Sequence, residues 1–232
     1  MPLSPLHYTP PTEPWLVIMY EDRDMVVVDK PSGLLSVPGR TPELCDSVLS
    51  RVRLTYMHAQ AVHRLDLGTS GVLVVATRRK AEATLRQQFQ DRQTSKVYLA
   101  MVHGRMESDA GTIDLPLICD WPNRPRQKVC QRTGKPALTE YEVVERHPDS
   151  TLVRLCPRTG RSHQLRVHLA SLGHPILGDN LYGPDQIQEG CRLLLHASQL
   201  GLFHPYSRTW MTFLAACPFA PQAEPIPLFP TE

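Results

Sequence analysis

The chain has 232 residues, 41% hydrophobic and 21% charged, which is ordinary globular usage and excludes wholesale disorder, collagen-like repeats and a coiled coil. At roughly 150 residues per domain the length admits one large domain or two small ones, and 25 basic against 23 acidic side chains leave a net charge of +2 that by itself points to no polyanionic partner. Proline is in excess, with 22 residues at about twice the usual ~5%, but Pro2, Pro5, Pro10, Pro11 and Pro14 at one end and Pro218, Pro221, Pro225, Pro227 and Pro230 at the other mark two loose tails, 1–14 and 219–232, around a domain at 15–218.

After the first tail, Trp15 to Tyr20 and Met25 to Asp29 read as short strands separated by the acidic turn Glu21 to Asp24, and Lys30-Pro31-Ser32-Gly33 breaks the pattern. Val72 to Ala76 is a continuous apolar run rich in β-branched residues, the mark of a buried strand. In Lys80 to Gln93, Leu85 and Phe89 stand four apart among charged neighbours, as on an amphipathic helix. Lys96 to His103, Ala137 to Glu145 and Thr151 to Cys156 read as further strands. Ser162 to Leu172 reads as a second helix: Ser162 can cap it, Leu165, Leu169 and Leu172 form one apolar stripe with Arg166 off it, and Gly173 can close it. Gln199 to Phe203 and Thr209 to Ala215 flank His204-Pro205-Tyr206-Ser207-Arg208 as a hairpin. With no internal repeat and no glycine- or serine-rich linker, the chain is expected to be one α+β domain with a mainly antiparallel sheet.

Charge is unevenly spread. Trp121 to Thr139 holds no Asp or Glu but carries Arg124, Arg126, Lys128, Arg132 and Lys135, and Ser150 to Gly178 is again free of acid but carries Arg154, Arg158, Arg161 and Arg166. Such segments are either one positive face for nucleic acid or another anion, or a pair of solvated basic loops. The six cysteines, Cys45, Cys119, Cys130, Cys156, Cys191 and Cys217, form no C-x-x-C pair, which suits reduced thiols rather than a zinc site or a disulfide scaffold. No basic leader precedes an apolar stretch, and no run approaches the ~20 apolar residues of a membrane span. A soluble, cytoplasmic protein with no membrane partner is the expectation.

Common reaction centres are missing: there is no phosphate-binding G-x-x-x-x-G-K-[ST] loop, no G-x-G-x-x-G, no H-E-x-x-H and no G-x-S-x-G. His163, His168 and His174 lack the spacing of a metal site and read as core or surface histidines. What remains is His63-Arg64-Leu65-Asp66-Leu67-Gly68-Thr69-Ser70-Gly71, a polar loop feeding the strand at Val72. It is not a kinase catalytic loop, since the order of its first four residues is wrong and no D-F-G or Gly-rich loop accompanies it. In an extended backbone Arg64 and Asp66 project on the same side. A single Asp in a loop is otherwise most often a cap or a surface carboxylate.

His63-Arg64-Leu65-Asp66 followed by Thr69-Ser70-Gly71 and a hydrophobic strand resembles the signature of the RluA family of pseudouridine synthases. Asp29-Lys30-Pro31-Ser32-Gly33 resembles the family's first motif, with Asp where many members have Asn; Lys96-Val97-Tyr98 resembles its tyrosine motif, and Arg158 to His168 its third. The resemblance covers roughly Trp15 to Pro218. It implies a catalytic domain with a mixed, mainly antiparallel sheet, flanking helices and a central RNA-binding cleft, without a preceding S4-type domain. The segment Ile118 to Pro125 is similar to an insert of a family member with two substrates, a uridine in the anticodon stem-loop of tRNA and one in a hairpin loop of 23S rRNA.

The implied reaction is isomerisation: the glycosidic N1–C1′ bond breaks, the uracil turns and C5 bonds to C1′, with no cofactor and no metal. Asp66 is then the catalytic carboxylate, and attack on C1′, attack on C6 and removal of the 2′ proton all stay open. Tyr98 is expected to stack on the uracil and to be a candidate acceptor of the C5 proton, Arg166 to pair with Asp66, and Arg64 to fill the space of a flipped uridine. Arg124, Arg126, Lys128 and Arg161 would contact the RNA backbone. No protein partner is evident. Two other readings remain at this stage, a catalytically silent RNA-binding module and an Asp-dependent hydrolase of a small anion.

Overall fold

The computed structural model describes residues 8–184 and 192–230. Its strands are β1 (Val17–Glu21), β2 (Met25–Lys30), β3 (Gln60–Ala61), β4 (Ser70–Ala76), β5 (Ser95–His103), β6 (Ala110–Asp114), β7 (Leu117–Cys119), β8 (Gln127–Val129), β9 (Leu138–Arg146), β10 (Ser150–Pro157), β11 (Leu195–Phe203) and β12 (Trp210–Leu214); its α-helices are α1 (Val48–Arg53), α2 (Arg79–Gln90) and α3 (Gln164–Ser171). One large sheet runs in the order β1-β2-β4-β11-β5-β10-β9-β6, with β12 beside β11 and β3 beside β4, and β7 and β8 form a separate hairpin. Every pairing between these strands is antiparallel except β4 with β11.

The buried run at 72–76 is central because helices cover both faces of the sheet there. Alternate side chains of β2 and β4 divide accordingly: Met25, Val27, Val72 and Val74 meet Ala81 and Leu85 of α2 on one face, and Val26, Val28, Leu73 and Val75 meet Val48, Leu49 and Val52 of α1 on the other. The second half of the sheet packs Ala100, Val102, Val153 and Leu155 against Leu165 and Leu169 of α3. Gly71 permits the one parallel contact. It sits at φ +109°, and a Cβ there would stand 2.2 Å from the Ala197 carbonyl oxygen of β11.

Three details differ from the sequence reading. Ser162 is not the cap of α3; the N-cap is His163, in the left-handed region at φ 54° and without a side-chain cap. Gln164 does the local work instead, its Oε1 accepting from Arg161 N (3.0 Å) and Thr159 Oγ1 (2.8 Å). Leu172 is exposed and Arg166 is buried, because α3 is covered on two sides, by the sheet through Leu165 and Leu169 and by the β7–β8 hairpin through Val167. The described parts of the two tails carry no strand or helix but are tied down. Tyr8 Oη donates to Asp46 O (2.8 Å), Arg51 Nη2 donates to Pro11 O (2.7 Å), Ala220 is buried, and Trp210 Nε1 donates to Leu228 O (3.0 Å). Cys45, Cys119, Cys130, Cys156 and Cys217 are free thiols; Cys191, Pro2 and Pro5 lie outside the described residues.

Candidate active site

The loop between β3 and β4 is held from one side by the turn that follows β2. Ser36 Oγ donates to Leu65 O (2.7 Å) and accepts from Leu65 N (3.0 Å), Ser32 Oγ donates to Gly68 O (2.7 Å), and Gly33 N donates to Leu67 O (2.9 Å). Lys30 is wholly buried, and its ammonium donates to Leu34 O (2.6 Å), Pro31 O (2.9 Å) and Leu67 O (3.2 Å). Carbonyl dipoles rather than a contacting carboxylate surround it, and burial lowers its pKa to about 7. The Asp29-Lys30-Pro31-Ser32-Gly33 stretch is therefore the cradle of the loop. Leu65 drops into the core under α1, a burial worth about 1.5–3 kcal/mol for a leucine, while Arg64 and Asp66 on either side of it line one cleft. His63 stacks on Phe89 of α2 with ring centroids 4.4 Å apart, and its Nε2 accepts from Val74 N (3.1 Å). Burial pushes its pKa down to about 3, so it remains a neutral acceptor.

Asp66 faces the start of α3. Arg166 Nη1 lies 3.4 Å from Asp66 Oδ2, and the rest of the guanidinium forms a fork on Asp179, Nε to Oδ2 at 2.8 Å and Nη2 to Oδ1 at 2.7 Å. Asp179 is fully buried and is held in turn by Leu181 N (2.9 Å) and Tyr182 N (3.1 Å). Burial opposes the Arg166 charge, but the Asp179 carboxylate outweighs it and the pKa of the guanidinium moves up. Tyr98 of β5 lines the same cleft; burial, reinforced by the charge of Asp66, raises its pKa well above that of an ordinary phenol and keeps it neutral. The cleft has a volume of about 1380 Å³, and among the described residues its lining has eight arginines and one lysine but a single carboxylate, Asp66.

The chain that builds this cleft is similar to known proteins. Residues 24–171 match the family model described as RNA pseudouridylate synthase. The chain belongs to the pseudouridine synthase family. It is 57% identical over 215 residues to the dual-specificity RNA pseudouridine synthase RluA of Escherichia coli (strain K12), covering 92% of this chain and 98% of the relative. To the protein of the same description from Vibrio vulnificus (strain CMCP6) it is 52% identical over 228 residues, covering 96% and 91%. Among solved structures it resembles human RNA pseudouridylate synthase domain containing 1, with a TM-score of 0.78 at 29% identity over 92% of this chain and 88% of that one. Human RNA pseudouridylate synthase domain containing 4 gives 0.71 at 27% identity over 88% and 90%. The protein is therefore an RNA isomerase, and its substrate is RNA.

In the synthase the residues singled out from sequence fall into two groups. Asp66, Arg64, Tyr98, Arg166, Arg124 and Arg161 all line the cleft, whereas Arg126 and Lys128 do not. Lys128 is tied to Asp120 at 3.0 Å. The acid-free segments are not free of acid in space: Arg154 pairs with Glu142 (2.6 Å) and Arg158 with Glu140 (2.8 Å) across the β9–β10 ladder. Arg124 stacks on Trp121 at 4.2 Å, and Arg161 donates to Pro136 O (3.0 Å).

Sequence reasoning missed four residues at the site. His163 reads in the sequence as a core or surface histidine, yet its Nε2 is 3.9 Å from Asp66 Oδ1. Asp179 is the first acid after the acid-free stretch that ends at Gly178, which was the one available signal. Tyr182 carried none. Lys96 shares the cleft with Tyr98 two positions away on β5, and burial followed by the charge of Arg92 lowers its pKa to about 8. The only grouping with metal-ligand spacing among the described residues, Asp22, Asp24 and His204, is already spent internally. Asp22 Oδ1 accepts from Asp24 N (2.8 Å) and Met25 N (2.9 Å), its Oδ2 from His204 Nε2 (2.7 Å), and Asp24 Oδ1 from Arg78 Nε (2.7 Å).

Proposed function

We propose that the synthase isomerises a loop uridine of 23S rRNA and a uridine of a tRNA anticodon stem-loop, with Asp66 as the reacting carboxylate. The observation that carries the assignment is that Asp66 is the single carboxylate among the described residues lining a cationic cleft. The cleft exceeds the roughly 300–1,000 Å³ of small-molecule sites and suits a nucleotide together with its flanking phosphates. Support for two RNA substrates comes from the relatives described as dual-specificity enzymes.

The site divides the labour by chemistry. Asp66 supplies the nucleophile or base, and Arg166, fixed by Asp179, holds one of its oxygens. Tyr98, as a neutral phenol, offers a face on which the uracil stacks. Arg64 is exposed within the cleft, and its planar guanidinium can occupy the place of a base flipped out of the stack, an event that costs a few kcal/mol. Arg124 and Arg161 hold backbone phosphates, and loop shape selects the RNA. No helix among the described residues is long and apolar enough to cross a membrane, and the cytoplasm, where both RNAs are found, is the proposed place of action.

The test is Asp66→Asn, nearly isosteric but neither nucleophilic nor basic. Tritium release from stem-loops carrying C5-tritiated uridine is expected to fall below detection while RNA binding stays within a few fold. Appreciable turnover by this variant would remove Asp66 from the chemistry.

A further inference from the structure

We propose that His163 is a positioning residue for the Asp66 carboxylate, its tautomer set by Tyr182 through a relay that starts on the backbone of the β7–β8 hairpin. The inference rests on Asp66 being the reacting carboxylate.

The relay can be followed atom by atom. Gln127 N, at the start of β8, donates to Tyr182 Oη at 2.7 Å, and Tyr182 Oη lies 2.7 Å from His163 Nδ1. With the phenol oxygen already accepting from Gln127, its own proton is satisfied by going to Nδ1, which must then be unprotonated. Burial pushes Tyr182 up to about 12, so the phenol keeps its proton. A neutral His163 consequently carries its hydrogen on Nε2, the atom that faces Asp66 Oδ1 at 3.9 Å.

The groups around His163 bear on its charge in opposing directions. Burial lowers its pKa most, Asp66 raises it, Arg166 lowers it and Asp179 raises it, with a net downward shift. The ring is thus a neutral donor beside the carboxylate. That matters because Arg166 Nη1 already faces Asp66 Oδ2 at 3.4 Å, and a second full positive charge would hold the carboxylate more tightly in its ground state. One oxygen lies 3.4 Å from a cation and the other faces a neutral N–H at 3.9 Å, so the two groups bias the carboxylate's orientation electrostatically without neutralising it twice. The alternative tautomer would turn a lone pair toward Oδ1 and repel it.

The backbone shows the same bias. His163 takes φ 54°, a left-handed conformation that non-glycine residues seldom adopt, and this turn delivers the ring to Asp66 instead of letting α3 begin on a conventional serine cap. The hairpin that begins the relay also packs on α3 and carries Arg124 on the cleft. Two hydrogen bonds thereby join an RNA-facing element to His163, whose Nε2 approaches the carboxylate to 3.9 Å.

Asn and Gln at position 163 separate positioning from architecture. Asn adopts the left-handed region readily, but its amide reaches only to the place of Nδ1, whereas the longer Gln amide reaches the place of Nε2. Single-turnover rates on a C5-tritiated stem-loop are expected to drop about 100-fold for His163→Asn, the scale of a 1 Å misplacement, and to recover to within about 5-fold of wild type for His163→Gln, with the Kd for RNA within about 2-fold in both. Tyr182→Phe should lose about 10-fold in rate by freeing the tautomer. Wild-type rate for His163→Asn, equal losses for Asn and Gln, or a loss confined to binding would each overturn the positioning role, and wild-type rate for Tyr182→Phe would overturn the relay. Asp66→Asn run alongside keeps the two ideas apart: turnover by that variant defeats the carboxylate assignment itself, and its inactivity leaves the His163 result to be read on its own.

Discussion

Arg166 serves two carboxylates in different environments, holding buried Asp179 with a two-point fork and leaving Nη1 for partly exposed Asp66. The buried pair orients the guanidinium, and the exposed one is left available for chemistry. Neutral histidines complete the residue-scale picture, and they give a pH dependence of stability. Burial lowers the pKa of His63 to about 3 and that of His196 to about 4, against about 6.5 in an unfolded chain. Between those values the unfolded chain binds a proton that the folded chain refuses, so stability that is full above pH 6.5 is lost as pH falls through that window. Each histidine should cost on the order of 1–2 kcal/mol at pH 5. Urea denaturation at pH 7.5 and pH 5.0 checks this, and an unchanged midpoint would mean that both rings accept protons in the fold. That Asp66, Arg64 and Arg166 belong to one cleft was legible because they lie in long, unbroken motifs, whereas Tyr98 was found through a motif of only three residues that resembles the family's. His163 lay inside such a motif, but an imidazole reads alike in sequence whether it faces a core or a carboxylate. Asp179 and Tyr182 acquire their roles only when the chain after α3 folds back onto it.

Most long elements were legible, as were the five- and six-residue β1, β2 and β12; the first half of β11 and the shortest elements were not. β4, β5, β9, β10 and α2 fall within a few residues of their expected places, since each is long enough to show its period. α1 has six residues, β3 two, and β7 and β8 three each; nothing that short is stable on its own propensity, and each exists because of what it packs against. Arg166 exposes the same limit, because a helix covered on two sides no longer buries a single stripe. At this scale the critical position is Gly71, where β4 and β11 touch backbone to backbone. Gly71→Ala combines a disfavoured φ with a Cβ clash against the Ala197 carbonyl, and the two penalties together should remove roughly 2–6 kcal/mol of stability. Thermal unfolding of the purified variant measures it, and a melting temperature near that of wild type would show that the two strands can part at no cost.

Over the whole molecule, net charge understates the field in the cleft, because among the described lining residues Asp66 is the one carboxylate beside eight arginines and a lysine, even with Arg158 of that lining paired to Glu140. RNA affinity should fall steeply with salt, with a log-log slope of about −0.7 for each single-strand phosphate neutralised. Arg124→Glu combined with Arg161→Glu should weaken binding and flatten that slope, while Arg154→Gln, which alters an arginine already paired with Glu142, should leave it unchanged. Filter binding across a salt series reads both, and an undiminished slope in the double variant would place the phosphates elsewhere. The order of strands carries one more consequence. β11 is built from residues 195–203 yet lies inside the sheet, between the half that holds Asp66 and the half that holds Tyr98 and Arg166. A ribosome synthesising this chain from its N-terminus releases both halves before the strand that unites them has emerged. Until β11 is in place carboxylate and guanidinium have no shared framework, so a growing polypeptide that stops short of residue 195 is expected to be inert toward RNA.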